Sequence, residues 1–431
     1  MTVALIKTKA EQGLAADFAA RGHDLPGSAA TASLRAEAMS AFERQGLPHR
    51  RVEAWKYTDL RAAVKEFAPI ATFDDAPVSQ ADVDRALNTL GVLAADRLVF
   101  VNGSYRSELS TAKPQVAVQS VGAAMLFVRL PNEAIVALNT ALVTDGAMID
   151  IADDVALARP LLIVHVAAGA KPKLASLRHT IRLGRSARAT IIEAHVALGG
   201  AAAGQSNTVV DVSLGDAAEL VHLLVGIEGP AATHLETVVA RLGAATSLRS
   251  FQLSVGTGLA RNQTFVTFDG EGAKLDISGV MLASGRQHID TTLVIDHAVP
   301  ACESRELFKA VLDDTARAVF QGKVIVRPDA QKTDGKQMAK ALMLSEACEF
   351  DSKPELEIYA DDVVCGHGAT VAEIDAGMMF YLRSRGIPKD EARALLVESF
   401  VGEALEKIAD ETLRDALATI ARAWLDGRRV S

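Results

Sequence analysis

Cysteine is nearly missing from these 431 residues: Cys302, Cys348 and Cys365 are too few and too widely spaced for a disulfide framework, which a chain of this length would not need. That scarcity fits a reducing compartment. Aromatic residues make up 5% against 49% hydrophobic residues, so the core must be built from Ala, Val, Leu and Ile, which suits strands and tightly packed helices. There is no basic excess: 45 Lys and Arg face 54 Asp and Glu, a formal net charge of −9, which argues against nucleic acid as a partner. No apolar run is long enough to span a bilayer; the longest, near Leu161 to Ala170, is interrupted by His165. The opening MTVALIKTKAEQGLA has no continuous apolar h-region. The chain is expected to be soluble and cytoplasmic, with no membrane partner.

Catalytic signatures are also lacking. Gly322-Lys323 and Gly335-Lys336 have no upstream glycine that would complete a phosphate-cradling loop, and no H-E-x-x-H, C-x-x-C or G-x-S-x-G occurs.

What is present changes character along the chain. From about residue 10 to 90 the text is Ala-rich with helical spacing, broken at Pro26-Gly27 and at Gly46-Leu47-Pro48. Ser79 and Asp82 mark the start of a helix over VDRALNTL that Gly91 is expected to stop. From RLVFVNG, residues 97 to 103, short β-branched runs separated by small-residue turns take over, which is the strand signal.

Five segments resemble one another: IRLGRSARATII, VSLGDAAELVHL, ARLGAATSLRSF, TFDGEGAKLDIS and VLDDTARAVFQG, each a strand, a tight turn and a strand. The small residues after the turns are Ala187, Ala218, Thr246, Ala273 and Ala316, spaced by 31, 28, 27 and 43 residues. The last gap reads as an insertion around HAVPACESRELF. A period near 30 made of strands excludes helical solenoids and fits a β-solenoid, with a propeller or sandwich as the competing arrangement. In VSLGDAAELVHLLV, Leu220, His222 and Leu224 alternate with Val221, Leu223 and Val225, so both faces are fairly apolar.

The end of the chain returns to helix. Pro388 opens a segment with Asp390 and Glu391 in its first turn and Val397, Phe400, Val401, Ala404, Leu405 and Ile408 at helical spacing. Asp410 is placed to cap a second helix, with Leu413, Leu417, Ile420 and Trp424 as a stripe before Gly427 and Arg428-Arg429. Two antiparallel helices capping a β rod are the simplest arrangement.

Cys365-Gly366-His367 sets a thiol and an imidazole two residues apart, which on a strand points both to one face, where they can share a metal or simply pack. Cys302 and Cys348 have no neighbouring His and read as packing residues. His288 and His297 with Asp290 and Asp296 form either a second metal cluster or ordinary turn and edge residues. Arg383 and Arg385 either hold an acidic partner or end a helix.

The blocks EAWKYTDL (53 to 60), HIDTTLVIDHAVPACESRELFKAVLDDTARAVFQGKVIVRPDAQKTDGKQ (288 to 337) and SKPELEIYADDVVCGHGATVAEID (352 to 375), followed by FYLRSRGI, resemble the SufB/SufD family of iron–sulfur cluster assembly proteins. The Cys-x-His-Gly-Ala-Thr form follows the SufD branch; the SufB branch carries Glu after the His, where this chain has Gly368. The resemblance implies a mainly β fold, a right-handed parallel β-helix over 96–374 flanked by an N-terminal helical region, 1–95, and a C-terminal helical region, 375–431. It implies a non-catalytic scaffold that pairs with SufB, binds the ATPase SufC through its C-terminal helices and has a role in iron acquisition. The site it implies is His367, with Cys365 beside it, holding iron or a transient iron–sulfur cluster at the interface and nothing tightly in the isolated chain. A SufB-type homodimeric scaffold and a carbohydrate-active β-helix enzyme, using carboxylates such as Asp290, Asp296, Asp361 and Asp362, are the alternatives.

Overall fold

The computed structural model describes residues 7–72, 76–90, 95–111 and 133–427. Gly91 and Arg428-Arg429 lie outside them. Among the described residues the N-terminal part holds helices Lys9–Arg21 and Ala29–Gln45, separated at Pro26-Gly27 and ended at Gly46. The helix Gln80–Leu87 begins with a capping box in which Ser79 and Asp82 exchange side-chain-to-backbone hydrogen bonds.

From Asp96 onward the chain winds into a β-solenoid. Its strands alternate between a ten-stranded and an eight-stranded sheet among the described residues, and successive coils pair in parallel, one residue on the next. Arg188–Ala197 shows the logic of each strand. Ala189 and Ile191 join the apolar interior with Leu220, Val238 and Leu275, whereas Ile192, Ala194 and Val196 belong to a separate outer cluster. Both faces are buried, so alternation is weak in the text. The split seen at Leu220 against Leu223 and Val225 is as the sequence suggested.

The corners explain the period. Where the chain passes from the eight-stranded to the ten-stranded sheet, a residue with positive φ precedes a buried small one: Ser186 before Ala187, Ala217 before Ala218, Ala245 before Thr246, Gly272 before Ala273, Ala301 before Cys302, Lys332 before Thr333. Each positive-φ residue donates its N–H to the corresponding corner of the next coil, as Ser186 does to Asp216, Ala217 to Ala244, Ala245 to Glu271 and Ala301 to Gln331. This ladder offsets a conformation that L-residues otherwise avoid. The 43-residue gap is therefore no insertion. HAVPACESRELF contains the regular corner at Cys302, 29 residues after Ala273, and Ala316 sits at the opposite corner, half a coil on. Coils stack closely here: a Cβ on Gly270 would meet the Ala244 nitrogen at 2.0 Å.

The helices Lys389–Leu405 and Glu411–Gly427 lie across the outward face of the ten-stranded sheet rather than closing the rod. Val397, Val401, Leu405, Leu413, Leu417 and Ile420 share the outer cluster with Leu223, Val225, Leu253, Val280 and Val311. A strand face this apolar is more stable under a helix pair than in water. Asp410 caps the second helix, accepting from the Leu413 N–H at 3.0 Å. Buried Lys309 fixes the first by donating to the Phe400 carbonyl at 2.6 Å and pairing with Glu403. On the other sheet, Trp55 of EAWKYTDL stacks on the buried Arg261 guanidinium, 3.8 Å from its ring centre, while Arg261 donates to the Ala54 carbonyl and pairs with Asp290. No helix among the described residues is long and apolar enough to cross a membrane.

Candidate functional site

The last coil is built differently from the rest. Glu349–Ile358 and Val364–Glu373 are the terminal strands of their sheets and are exposed or half-buried along their whole length. No further coil covers them among the described residues. Ile358, Tyr359, Val364 and Val371, with Met378, Phe380 and Tyr381 of the following helix Ala376–Ser384, expose apolar surface at this end of the rod.

Val364–Glu373 places Cys365 and His367 on one face. Its register sets Cys365 beside Gly335 and Ser304 in turn, and His367 beside Gln337 and Glu306 in turn. Cys365 packs on the edge of the inner core, so this face is the inward one, and His367 is exposed at its open end. Burial pushes the Cys365 thiol up, and the Asp334 and Glu306 carboxyls add to that, while a hydrogen bond to the Gly335 backbone opposes it. The thiol is thus protonated at neutral pH. Glu306 is fully enclosed with neither carboxyl oxygen hydrogen-bonded, and burial raises its pKa to about 8.

The other residues singled out in the sequence do not converge. On His288–His297, alternate positions diverge: His297 is inside, 3.1 Å from Ser304 Oγ, while His288 and Asp290 meet Thr58 of the N-terminal part. Asp290 is held by Arg261, Asp296 by Arg327 and Asp362 by Lys332, so each carboxylate has its own cation and none is paired with another for acid–base work. Cys302 and Cys348 are buried in the core, as packing residues. Arg383 is exposed on the helix after the last strand, and Arg385, exposed just past its end, lies over the Tyr381 ring.

A second polar group, deep in the solenoid, was not singled out. His165 and His195 are in register on neighbouring coils with rings stacked at 4.1 Å, and His234 meets His195 edge-on at 4.4 Å. Glu193, Glu236 and His222 join them, all inward and buried. His222 Nε2 bonds Glu193 Oε1 at 2.6 Å. Burial works against Glu193 ionising, but the His165 and His222 imidazoles overcome it and hold its pKa well below the usual carboxylate range. Glu236 goes the other way, raised by burial and by the charges of Glu193 and Glu228. Burial lowers His195 well below its ordinary value and His179 to about 3, so both rings are neutral. The signal was in the text: E-x-H at 193 and 195, H-x-E at 234 and 236, and His165 to His195 spaced by 30, the coil period.

Comparison with known proteins agrees with the fold. The SufBD core domain of SUF-system FeS cluster assembly matches residues 165–400, and the N-terminal region of SufBD proteins matches 24–163. The iron–sulfur cluster assembly protein SufD of Escherichia coli K12 is 33% identical over 90% of this chain and 91% of its own length. A SufBD family protein of Synechocystis is 31% identical over 86% of each chain, and SufD of Bacillus subtilis is 27% identical over 68% of this chain and 67% of its own. With a parallel β-solenoid, a SufBD core match over more than half its length and relatives of the same extent, the chain belongs to the SufB/SufD family of iron–sulfur cluster assembly proteins.

Proposed function

We propose that this chain is a cytoplasmic, non-catalytic scaffold subunit that pairs through the open end of its solenoid with a SufB-type subunit and holds iron or a nascent iron–sulfur cluster at the interface. The observation that carries this reading is the last coil: two strands whose outer edges have no partner among the described residues, exposed apolar residues around them, and Cys365 and His367 together on the inward face at the rim. A strand edge of this kind is a template for another chain. Thiolate and imidazole suit iron, and a partner laid over the rim would supply the missing ligands while excluding water. His367 is the principal ligand and Cys365 the lesser one. When alone, the same edges can receive a second copy.

The three parts 1–95, 96–374 and 375–431 have separate tasks in this reading. The C-terminal region docks a SufC-type ATPase, using the side of its helices turned away from the solenoid, where Leu395 is exposed. Iron acquisition and de novo cluster formation are then tasks of the assembled complex. Co-expression with SufB-type and SufC-type partners tests the reading: a stable complex whose SufB contact is lost on charging the rim, for example by Val371→Asp, supports it. Unchanged pairing in that variant contradicts it.

A further inference from the structure

We infer that the interior of the solenoid holds a mononuclear divalent metal site formed by His195 Nε2, His234 Nε2 and Glu236 Oε2, separate from the rim. Glu236 Oε2 lies 3.5 Å from each of the two nitrogens. That is close to the ligand-to-ligand spacing of about 3.4 Å around a tetrahedral ion bound at roughly 2.1 Å. His195, His234 and Glu236 offer donor atoms all within 4.8 Å of one another. Two imidazoles and one carboxylate are the donor set of Zn(II) and non-haem Fe(II) centres that keep open positions.

The surroundings hold the ligands ready. Ser206 Oγ lies 3.0 Å from His234 Nδ1 and donates to Glu228 Oε1 at 3.5 Å. With its own proton given to Glu228, the hydroxyl accepts from Nδ1–H, which leaves the Nε2 lone pair facing Glu236. Both ring nitrogens of His195 and both oxygens of Glu236 are buried without a hydrogen-bond partner. Orphaned buried polar atoms are costly, and two of these four, His195 Nε2 and Glu236 Oε2, face one point. A dication takes up His195 Nε2 and Glu236 Oε2 and balances the charge of the carboxylate that ionises on binding it.

There is also a way in. A cavity of about 40 Å³ lined by Asn102, Gly204 and Ser206 opens onto His195, the outermost of the three ligands along it, with room for a water. Lys171 and Lys173 stand at its rim and slow a dication without blocking it, because exposed charges are screened at ordinary ionic strength.

The test uses the full chain, stripped with chelator and titrated with Co(II) under argon. The wild type is expected to take up one equivalent, with X-ray absorption showing only nitrogen and oxygen neighbours near about 2.1 Å, imidazole scattering, and no sulfur at about 2.3 Å. Glu236→Gln should weaken binding at least tenfold and abolish the rise in melting temperature that Co(II) gives the wild type. Cys365→Ser and His367→Ala should bind as the wild type does, which keeps this result independent of the rim. No stoichiometric uptake, a sulfur neighbour, loss of binding in either rim variant, or wild-type affinity in a folded Glu236→Gln chain would each overturn the site. If Glu236→Gln does not fold, the wild-type stoichiometry and absorption spectrum decide alone.

Discussion

Glu306 and His367 stand two strands apart on the inward face of the solenoid, joined in register by Gln337 between them. The pair runs from the exposed rim to an enclosed carboxyl, and burial changes the protonation of that carboxyl on folding.

That difference has a sign. Unfolded, Glu306 ionises near 4.5; folded, near 8, because burial disfavours its charge. Between those values the folded chain holds a proton that the unfolded chain has released. Stability therefore falls as pH rises from about 4.5 to 8 and levels off above, by at most roughly 4–5 kcal/mol from this group. Glu306→Gln should flatten that part of the curve and be the more stable chain at pH 8, as read by urea unfolding at several pH values. Parallel curves for the two chains would contradict it.

Lys309 and Glu403 predict an asymmetry. The Lys309 side chain is 1% exposed and Glu403 49%. Removing the carboxylate leaves a buried ammonium with the Phe400 carbonyl and little else, whereas removing the ammonium leaves a carboxylate that is half in water and still bonded to Lys340 at 3.0 Å. Glu403→Ala should cost about 2–3 kcal/mol and Lys309→Met less than about 1 kcal/mol. Equal losses in chemical denaturation would show that the pair, and not the burial of one member, holds the helix.

The coil corners predict a contrast between two glycines. Gly270 has backbone 2.0 Å from where a Cβ would be, so Gly270→Ala must move one coil against the next and should cost about 2–4 kcal/mol. Gly272 has positive φ and open space, and its counterparts in other coils are Ala217, Ala245 and Ala301, so Gly272→Ala should cost only about 1 kcal/mol. A reversed order in melting temperature would refute the stacking argument.

The repeat was legible because each corner needs a small buried residue, but its phase was not. Ala316 resembles Ala273 in sequence while occupying the opposite corner, and Cys302, the true counterpart, is no turn residue by type. Positive φ at alanines leaves no mark in the text, since glycine is the usual signal. The C-terminal helices were readable from their stripes and from Asp410, but not the surface they cover, because the sheet's outward face is as apolar as its interior. Cys365 and His367 could be placed on one face from strand alternation alone. The exposure of His367 at an open end, and the line back to Glu306, depend on strand order.

If the rim of the solenoid is a shared ligand site, His367→Ala in the co-purified complex removes its principal ligand. The variant must first be shown to pair with the SufB-type subunit at unchanged affinity, since losing a polar contact at an interface can by itself weaken the complex. Iron and sulfide are then counted per complex after anaerobic cluster assembly. An intact complex with at least tenfold less cluster is expected, and a smaller loss for Cys365→Ser. A His367→Ala complex that assembles normally and gains clusters at the wild-type rate would contradict it.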